Sequence, residues 1–192
     1  SAAISACEKA GEAEQALALL GEMRAAGVAP NVVTYSAAIS ACEAGGEWER
    51  ALALLTEMAA DRVEPNAFTY NAAIAACKRG AQWERALGLL NAMRARGLEP
   101  DVISYTAAIS CCGHASKWEL ALGLLREMRN RAVAPNVETF CAAVLACKRA
   151  GQHERGTAGE DAWWCVSGAQ DAALCVWGAR DGALLQRLRL RH

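Results

Sequence analysis

The sequence predicts an all-α chain, a solenoid of stacked helix-turn-helix repeats over residues 1–152, on three observations. First, landmark residues recur every 35 positions: Pro30, Pro65, Pro100 and Pro135; Met23, Met58, Met93 and Met128; Glu14, Glu49, Glu84, Glu119 and Glu154. Second, each period holds two apolar stripes at helical spacing, separated by a short break. Third, hydrophobic residues make up 54% of the 192, with alanine and leucine prominent, a composition that favours buried helices.

The unit from Val32 to Asn66 shows the elements in order. A first helix is expected over 34–44, with Tyr35, Ala38, Ile39 and Cys42 on one face. Gly45 and Gly46 should stop it, because glycine tolerates a left-handed cap. A second helix is expected over 47–61, with Trp48, Ala51, Leu52, Leu55 and Met58 along its apolar stripe. Glu47 and Glu49 fall in its first turn, where the helix dipole favours anions. Pro65 then fixes the link to the next unit. Alanines in the first helix let neighbours approach closely. Neither stripe is buried within its own unit, so units must stack. The tryptophan column, Trp48, Trp83 and Trp118, reads as core on this pattern.

Composition narrows the function classes. The net charge of −1 makes the chain as a whole no polycation, although a repeat protein can gather charge on one face. The apolar runs are too short to span a membrane. The chain opens on Ser1 rather than Met, so any targeting segment is expected upstream. Cys7, Cys42, Cys77, Cys112 and Cys147 recur once per unit, about a helix diameter apart, which is too far for a shared zinc. Buried free thiols in a reducing compartment are the expectation. The three histidines, His114, His153 and His192, form no catalytic or metal-binding spacing, and there is no phosphate-binding glycine loop. Neither catalysis nor a cofactor is expected.

The V-T-Y or V-S-Y opening, the small-residue first helix, the E-x-A-L-x-L-L-x-x-M second helix and the closing Pro-Asn or Pro-Asp resemble the pentatricopeptide repeat, in its P-type 35-residue form. The resemblance covers Ser1 to about Gln152. It weakens in the fifth unit, where Gly156 and Gly159 replace the expected Ala and Leu of a second helix. It implies a right-handed superhelix that binds single-stranded RNA, one base per unit. Such proteins act in mitochondrial or plastid RNA processing, stability, editing or translation. The resemblance places base-reading pairs at Ser1 with Asn31, Ser36 with Asn66, Asn71 with Asp101, and Thr106 with Asn136. It places base-wedging side chains at Val33, Phe68 and Ile103, with Glu138 departing from the apolar pattern. Lys9, Arg79 and Arg149 then stand as phosphate contacts, with His114 and Ala44 in the same column. Two other readings stay open. The closing Asn or Asp is also a favoured helix cap, and the cations also offset a helix dipole. A protein-binding scaffold is the rival to RNA.

Residues 153–192 form a second, divergent segment, expected as a short β-hairpin or an irregular tail. Ser167-Gly168, Asp171, Leu174, Val176-Trp177, Gly182, Leu184-Leu185 and Leu188 resemble part of a WD repeat, a candidate surface for other proteins. One such blade does not close a propeller.

Overall fold

The computed structural model describes residues 2–150 and three strands, 164–167, 173–177 and 184–189; side chains are described over 3–8 and 10–150. Among the described residues up to 150 the elements are helices alone: α1 (Ala2–Ala10), α2 (Ala13–Ala25), α3 (Val32–Gly45), α4 (Trp48–Ala60), α5 (Ala67–Arg79), α6 (Trp83–Ala95), α7 (Val102–His114), α8 (Trp118–Asn130) and α9 (Val137–Arg149). The chain divides into two compact units, Ser1–Ala146 and Cys147–His192.

Local chemistry sets each helix in the first unit. Asn31, Asn66 and Asp101 occupy the N-caps of α3, α5 and α7 in extended backbone, and their side chains accept from the N–H groups of Thr34, Thr69 and Ser104. The turn from first to second helix needs one left-handed residue, supplied by Gly11, Gly46, Ala81 and Ser116 in successive units. The turn out of the second helix needs another, at Gly27, Arg62, Gly97 and Ala132. A residue with a Cβ is strained there, so Ala81→Gly should raise stability by about 0.5–1 kcal/mol. A melting temperature no higher than that of the parent would show that Ala81 carries no such strain.

First helices pack on first helices from α1 through α7, and α2, α4 and α6 each pack on their own first helix and on that of the next unit, as α8 does on α7. Small residues make the close approach possible: a Cβ on Gly113 of α7 would come within 3.1 Å of the Ala146 Cβ on α9. The buried residues form two clusters that meet at α5. One takes in Ala72, Ala73 and Ala76, and the other Ile74 and Cys77. Across α2 and α4, the Arg24 guanidinium lies 5.6 Å over the Tyr35 ring and pairs with Glu57 at 2.9 Å and Asp61 at 3.3 Å. Across α6 and α8, Arg94 repeats this arrangement over Tyr105 with Glu127. Ala59 occupies the arginine column on α4.

Several expectations need correction. The helices run 32–45 and 48–60 rather than 34–44 and 47–61. Gly45 lies inside α3, and Gly46 alone is the left-handed cap, with φ 79°. Glu47 is the N-cap residue of α4 rather than part of its first turn, and it makes no side-chain cap bond. Leu54, not Leu55, is the fully buried leucine of α4, whereas Leu20, Leu90 and Leu125 in the Leu55 column are buried. Leu55 and Leu52 are only partly covered. The tryptophans pack against the core clusters but are half-buried rather than fully enclosed. Trp48 packs on Gly80, where an added Cβ would come within 2.5 Å of the indole, and Arg85 covers its ring at 4.6 Å. Trp83 carries Lys117 at 5.4 Å in the same way.

In the second unit the described backbone is an antiparallel sheet, β1 (Trp164–Ser167), β2 (Ala173–Trp177) and β3 (Leu184–Arg189), in sequential order. Cys165 stands opposite Val176, Leu174 opposite Leu188, and the β2–β3 register shifts between Val176 and Trp177. The expected loss of a second helix near Gly156 and Gly159, and the surroundings of Trp177, lie outside the described residues.

Candidate functional site

Three successive boundaries between first helices, α3–α5, α5–α7 and α7–α9, each carry one polar joint of three residues. The closing residue of the joint is the helix cap: Asn66, Asp101 or Asn136. Its Oδ1 accepts from the backbone N–H three positions on, at 2.9 Å in all three joints. These caps are exposed. The first member of each predicted pair sits nearly buried on the preceding first helix, with Ser36 4%, Asn71 9% and Thr106 7% exposed. A buried hydroxyl at the third position of the next helix stands between them. Thr69 Oγ1 lies 2.7 Å from Ser36 Oγ and 2.9 Å from Asn66 Oδ1. Thr139 Oγ1 lies 2.7 Å from Thr106 Oγ1 and 2.8 Å from Asn136 Oδ1. Ser104 Oγ lies 2.6 Å from Asn71 Oδ1 and 2.9 Å from Asp101 Oδ1. Asn71 Nδ2 also reaches the Asp101 carboxylate directly, at 3.3 and 3.4 Å.

The structure thus brings together Ser36 with Asn66, Asn71 with Asp101, and Thr106 with Asn136. Asn31 caps α3 through Thr34 at 3.0 Å, while its predicted partner Ser1 lies outside the described residues. The hydroxyl column Thr34, Thr69, Ser104 and Thr139 had no assigned role in the sequence reading. Its signal was there, since the column holds a hydroxyl in all four units. Capping and contact with a ligand use different atoms: the cap takes Oδ1 and leaves the asparagine Nδ2 with its protons directed elsewhere. Burial pushes the Asp101 carboxyl up, but the N–H and hydroxyl of Ser104, the Asn71 amide and the Ile103 N–H outweigh that and hold it below its usual value. Asp101 is therefore a carboxylate, and an acceptor only, at neutral pH.

Beside the caps, one apolar side chain per unit faces out: Val33 at 54%, Phe68 at 53% and Ile103 at 60% exposure. One exposed apolar side chain is ordinary on a protein surface; its recurrence in one column of three successive units is what singles these out. Glu138 holds the matching place on α9 and is exposed. In the cationic column, Arg79 and Arg149 are exposed, His114 Nδ1 lies 2.9 Å from the Ser110 carbonyl, and the Lys9 side chain lies outside the described residues. Arg79 is partly engaged within the protein. It lies across Gly46, where an added Cβ would come within 2.9 Å of its Cδ. Burial and Glu8 push the Glu43 carboxyl up, against the pull of Lys78 and Arg79.

Cys42, Cys77 and Cys112 are fully buried free thiols, as the pattern predicted. Burial pushes each up to about 11, which keeps them protonated and unreactive at neutral pH. Among the described residues no group of three His, Cys, Asp or Glu could hold a metal ion, and no helix is long and apolar enough to cross a membrane.

A row of helix pairs with a polar joint at three successive boundaries and an exposed apolar side chain at the start of three successive first helices defines a modular helical-repeat protein. The family model for the pentacotripeptide-repeat region of PRORP matches residues 36–164, and that of the PPR repeat family matches residues 1–44. The chain belongs to the pentatricopeptide-repeat family. It is similar to PPR10 in complex with an 18-nt psaJ RNA element, at 35% identity over 77% of this chain and 22% of that one, with a TM-score of 0.66. The structure of PPR10 from maize matches at 30% identity over 79% and 22%, with a TM-score of 0.63. The chain therefore spans about a fifth of the length of PPR10. The PPR domain of Arabidopsis thaliana protein-only RNase P 1, in complex with tRNA, matches at 21% identity over 77% and 78%, with a TM-score of 0.67, and shares the fold. No curated protein matches the chain.

Proposed function

We propose that the chain is a non-catalytic, sequence-selective binder of single-stranded RNA, one base per unit. The observation that carries this reading is the joint itself. Residues 30 positions apart in sequence meet at three successive boundaries, Asn71 with Asp101 directly and Ser36 with Asn66 and Thr106 with Asn136 through a shared hydroxyl, with Phe68 and Ile103 exposed beside the first two caps. Polar pairs supply base-edge contacts, and Val33, Phe68 and Ile103 supply surface against which a base can stack. The similarity to PPR10, whose structure holds an RNA element, supports the same reading. Arg79 and Arg149, with Lys9 in the same sequence column, are the proposed phosphate contacts.

By the code of the family, Ser or Thr with Asn favours adenine, and Asn with Asp favours uracil. Read 5′ to 3′ from N to C, the four pairs spell 5′-AAUA-3′, the first base resting on Ser1 and Asn31. The setting is mitochondrial or plastid RNA processing, stability, editing or translation. The strands of 164–189 are read as a WD-like piece offering a protein surface, on the strength of Ser167-Gly168 and Val176-Trp177. Selection of bound sequences from a random RNA pool tests the main reading. Enrichment of AAU or AUA within the recovered sequences is expected, and recovery of no shared sequence would overturn it.

A further inference from the structure

We infer that the buried hydroxyl of each joint, Thr69, Ser104 or Thr139, is a positioning residue that locks the hydrogen-bond polarity of its reading pair, and so holds the preference of that pair for an amino base or a keto base. The inference rests on the base-reading role proposed above and adds to it a residue outside the reading pairs.

The direction of each hydrogen bond follows from counting protons. In the Ser36 joint, Thr69 has one hydroxyl proton and two candidate acceptors, Ser36 Oγ at 2.7 Å and Asn66 Oδ1 at 2.9 Å. If Thr69 donates to Asn66, its own oxygen is free to accept from Ser36, and both contacts are hydrogen bonds. If it donates to Ser36, the Asn66 contact is lost and the serine proton has no acceptor in the joint. The first arrangement makes one more bond, and a nearly buried group left without a partner is costly. Ser36 then turns only lone pairs towards a ligand, while Asn66, its oxygen held by the cap, turns only N–H donors. The Thr106, Thr139 and Asn136 joint has the same atoms at 2.7 and 2.8 Å and the same direction.

The third joint runs the other way. The Asn71 amide points Nδ2 at the Asp101 carboxylate, which accepts only, so its Oδ1 faces Ser104 at 2.6 Å. Ser104 has one hydroxyl proton and two neighbours that only accept, Asn71 Oδ1 at 2.6 Å and Asp101 Oδ1 at 2.9 Å; the shorter contact takes it, because the amide oxygen has no other donor in the joint whereas the carboxylate keeps the Ser104 N–H and Asn71 Nδ2. Asn71 is left with a second N–H, and Asp101 with carboxylate lone pairs. The first member is now the donor and the closing member the acceptor.

These two polarities match two classes of base edge. Adenine and cytosine present an amino donor beside a ring-nitrogen acceptor, which fits Ser36 with Asn66 and Thr106 with Asn136. Uracil and guanine present a keto acceptor beside a ring N–H, which fits Asn71 with Asp101. Thr69 in the place of Ser104, or the reverse, would serve equally, because only the hydroxyl is used.

The test measures competition binding of the whole chain at low salt against RNAs containing AAUA. At the second base adenosine is compared with inosine, and at the third base uridine with cytidine. Each pair swaps amino for keto at constant ring size. The parent should prefer adenosine and uridine, each by about ten-fold. Thr69→Val keeps the side-chain shape and removes the hydroxyl. It should bring the adenosine-to-inosine ratio towards one while leaving the uridine-to-cytidine ratio unchanged, and Thr69→Ser should restore it. Ser104→Ala should flatten the third-base ratio alone, with Ser104→Thr restoring it. The untouched ratio in each variant reports that the solenoid is intact. A second-base ratio that survives Thr69→Val, or a loss at both bases together, would overturn the positioning role with base reading left standing. A parent that prefers neither base would overturn base reading, and the positioning role with it.

Discussion

Leu90→Ala should destabilise the solenoid by about 2–5 kcal/mol, the cost of deleting a fully packed leucine and leaving a cavity. Leu90 is 1% exposed and lies in the cluster that joins α5, α6 and α7. Leu55, one unit earlier in the same column, is only partly covered, so Leu55→Ala should cost about 1–2 kcal/mol, in proportion to the smaller area it removes from water. The contrast matters more than either value. An identical column in a perfect repeat would give identical losses, and the α4–α6 boundary is not identical to its neighbours. Ala59 stands there where Arg24 and Arg94 each cover a tyrosine in the adjoining boundaries. Paired urea titrations of the two variants against the parent provide the measurement. Equal losses would place both leucines in the same environment and contradict the packing described.

Much of the fold was legible because repetition makes each column its own control. Period, helix pairing, the caps at Asn31, Asn66, Asp101 and Asn136, and the buried Cys42, Cys77 and Cys112 all follow from residue type at fixed spacing. What the pattern did not carry was variation between boundaries. A stripe at helical spacing marks Leu54 and Leu55 alike as apolar, and the geometry of the neighbouring unit decides which is buried. The tryptophans read as core for the same reason. The chain instead leaves one ring face of Trp48 and of Trp83 to a cation from the next unit, contacts 37 and 34 residues away that no local rule describes. At the candidate site, spacing supplied the pairs but not the atom between them. A hydroxyl three residues after a cap is a common helix-start feature, so residue type alone does not set Thr69 and Ser104 apart. Their second contact, to the preceding unit, exists only once the units are stacked.

Asn71→Thr, with Asp101 kept, should move the preference of the third unit from uracil towards guanine, with discrimination of about 1–3 kcal/mol per base by analogy with base-edge contacts on DNA. Asp101 is the fixed element in this argument. Its carboxylate is held below the usual range by Ser104 and Asn71; the Ser104 N–H bond survives the substitution, and the Ser104 hydroxyl, released from Asn71 Oδ1, turns to the carboxylate 2.9 Å away. The joint therefore still offers an acceptor to a base with a ring N–H, which retains the keto bases uracil and guanine and disfavours adenine, whose ring nitrogen would face the carboxylate bare. Asn71 chooses between the two keto bases by reach and by chemistry. Its amide extends to the carboxylate and offers an N–H to a uracil carbonyl. Threonine is shorter, which opens space for the larger purine, and it supplies a hydroxyl oxygen that can accept from the guanine amino group. Competition binding with RNAs that differ only at the third base, for parent and variant, reads the change directly. The expected order is uracil first in the parent and guanine first in the variant, with the second-base preference set by Ser36 and Asn66 unmoved. Equal affinity for all four bases before and after the substitution would leave Asp101 as a helix cap and nothing more.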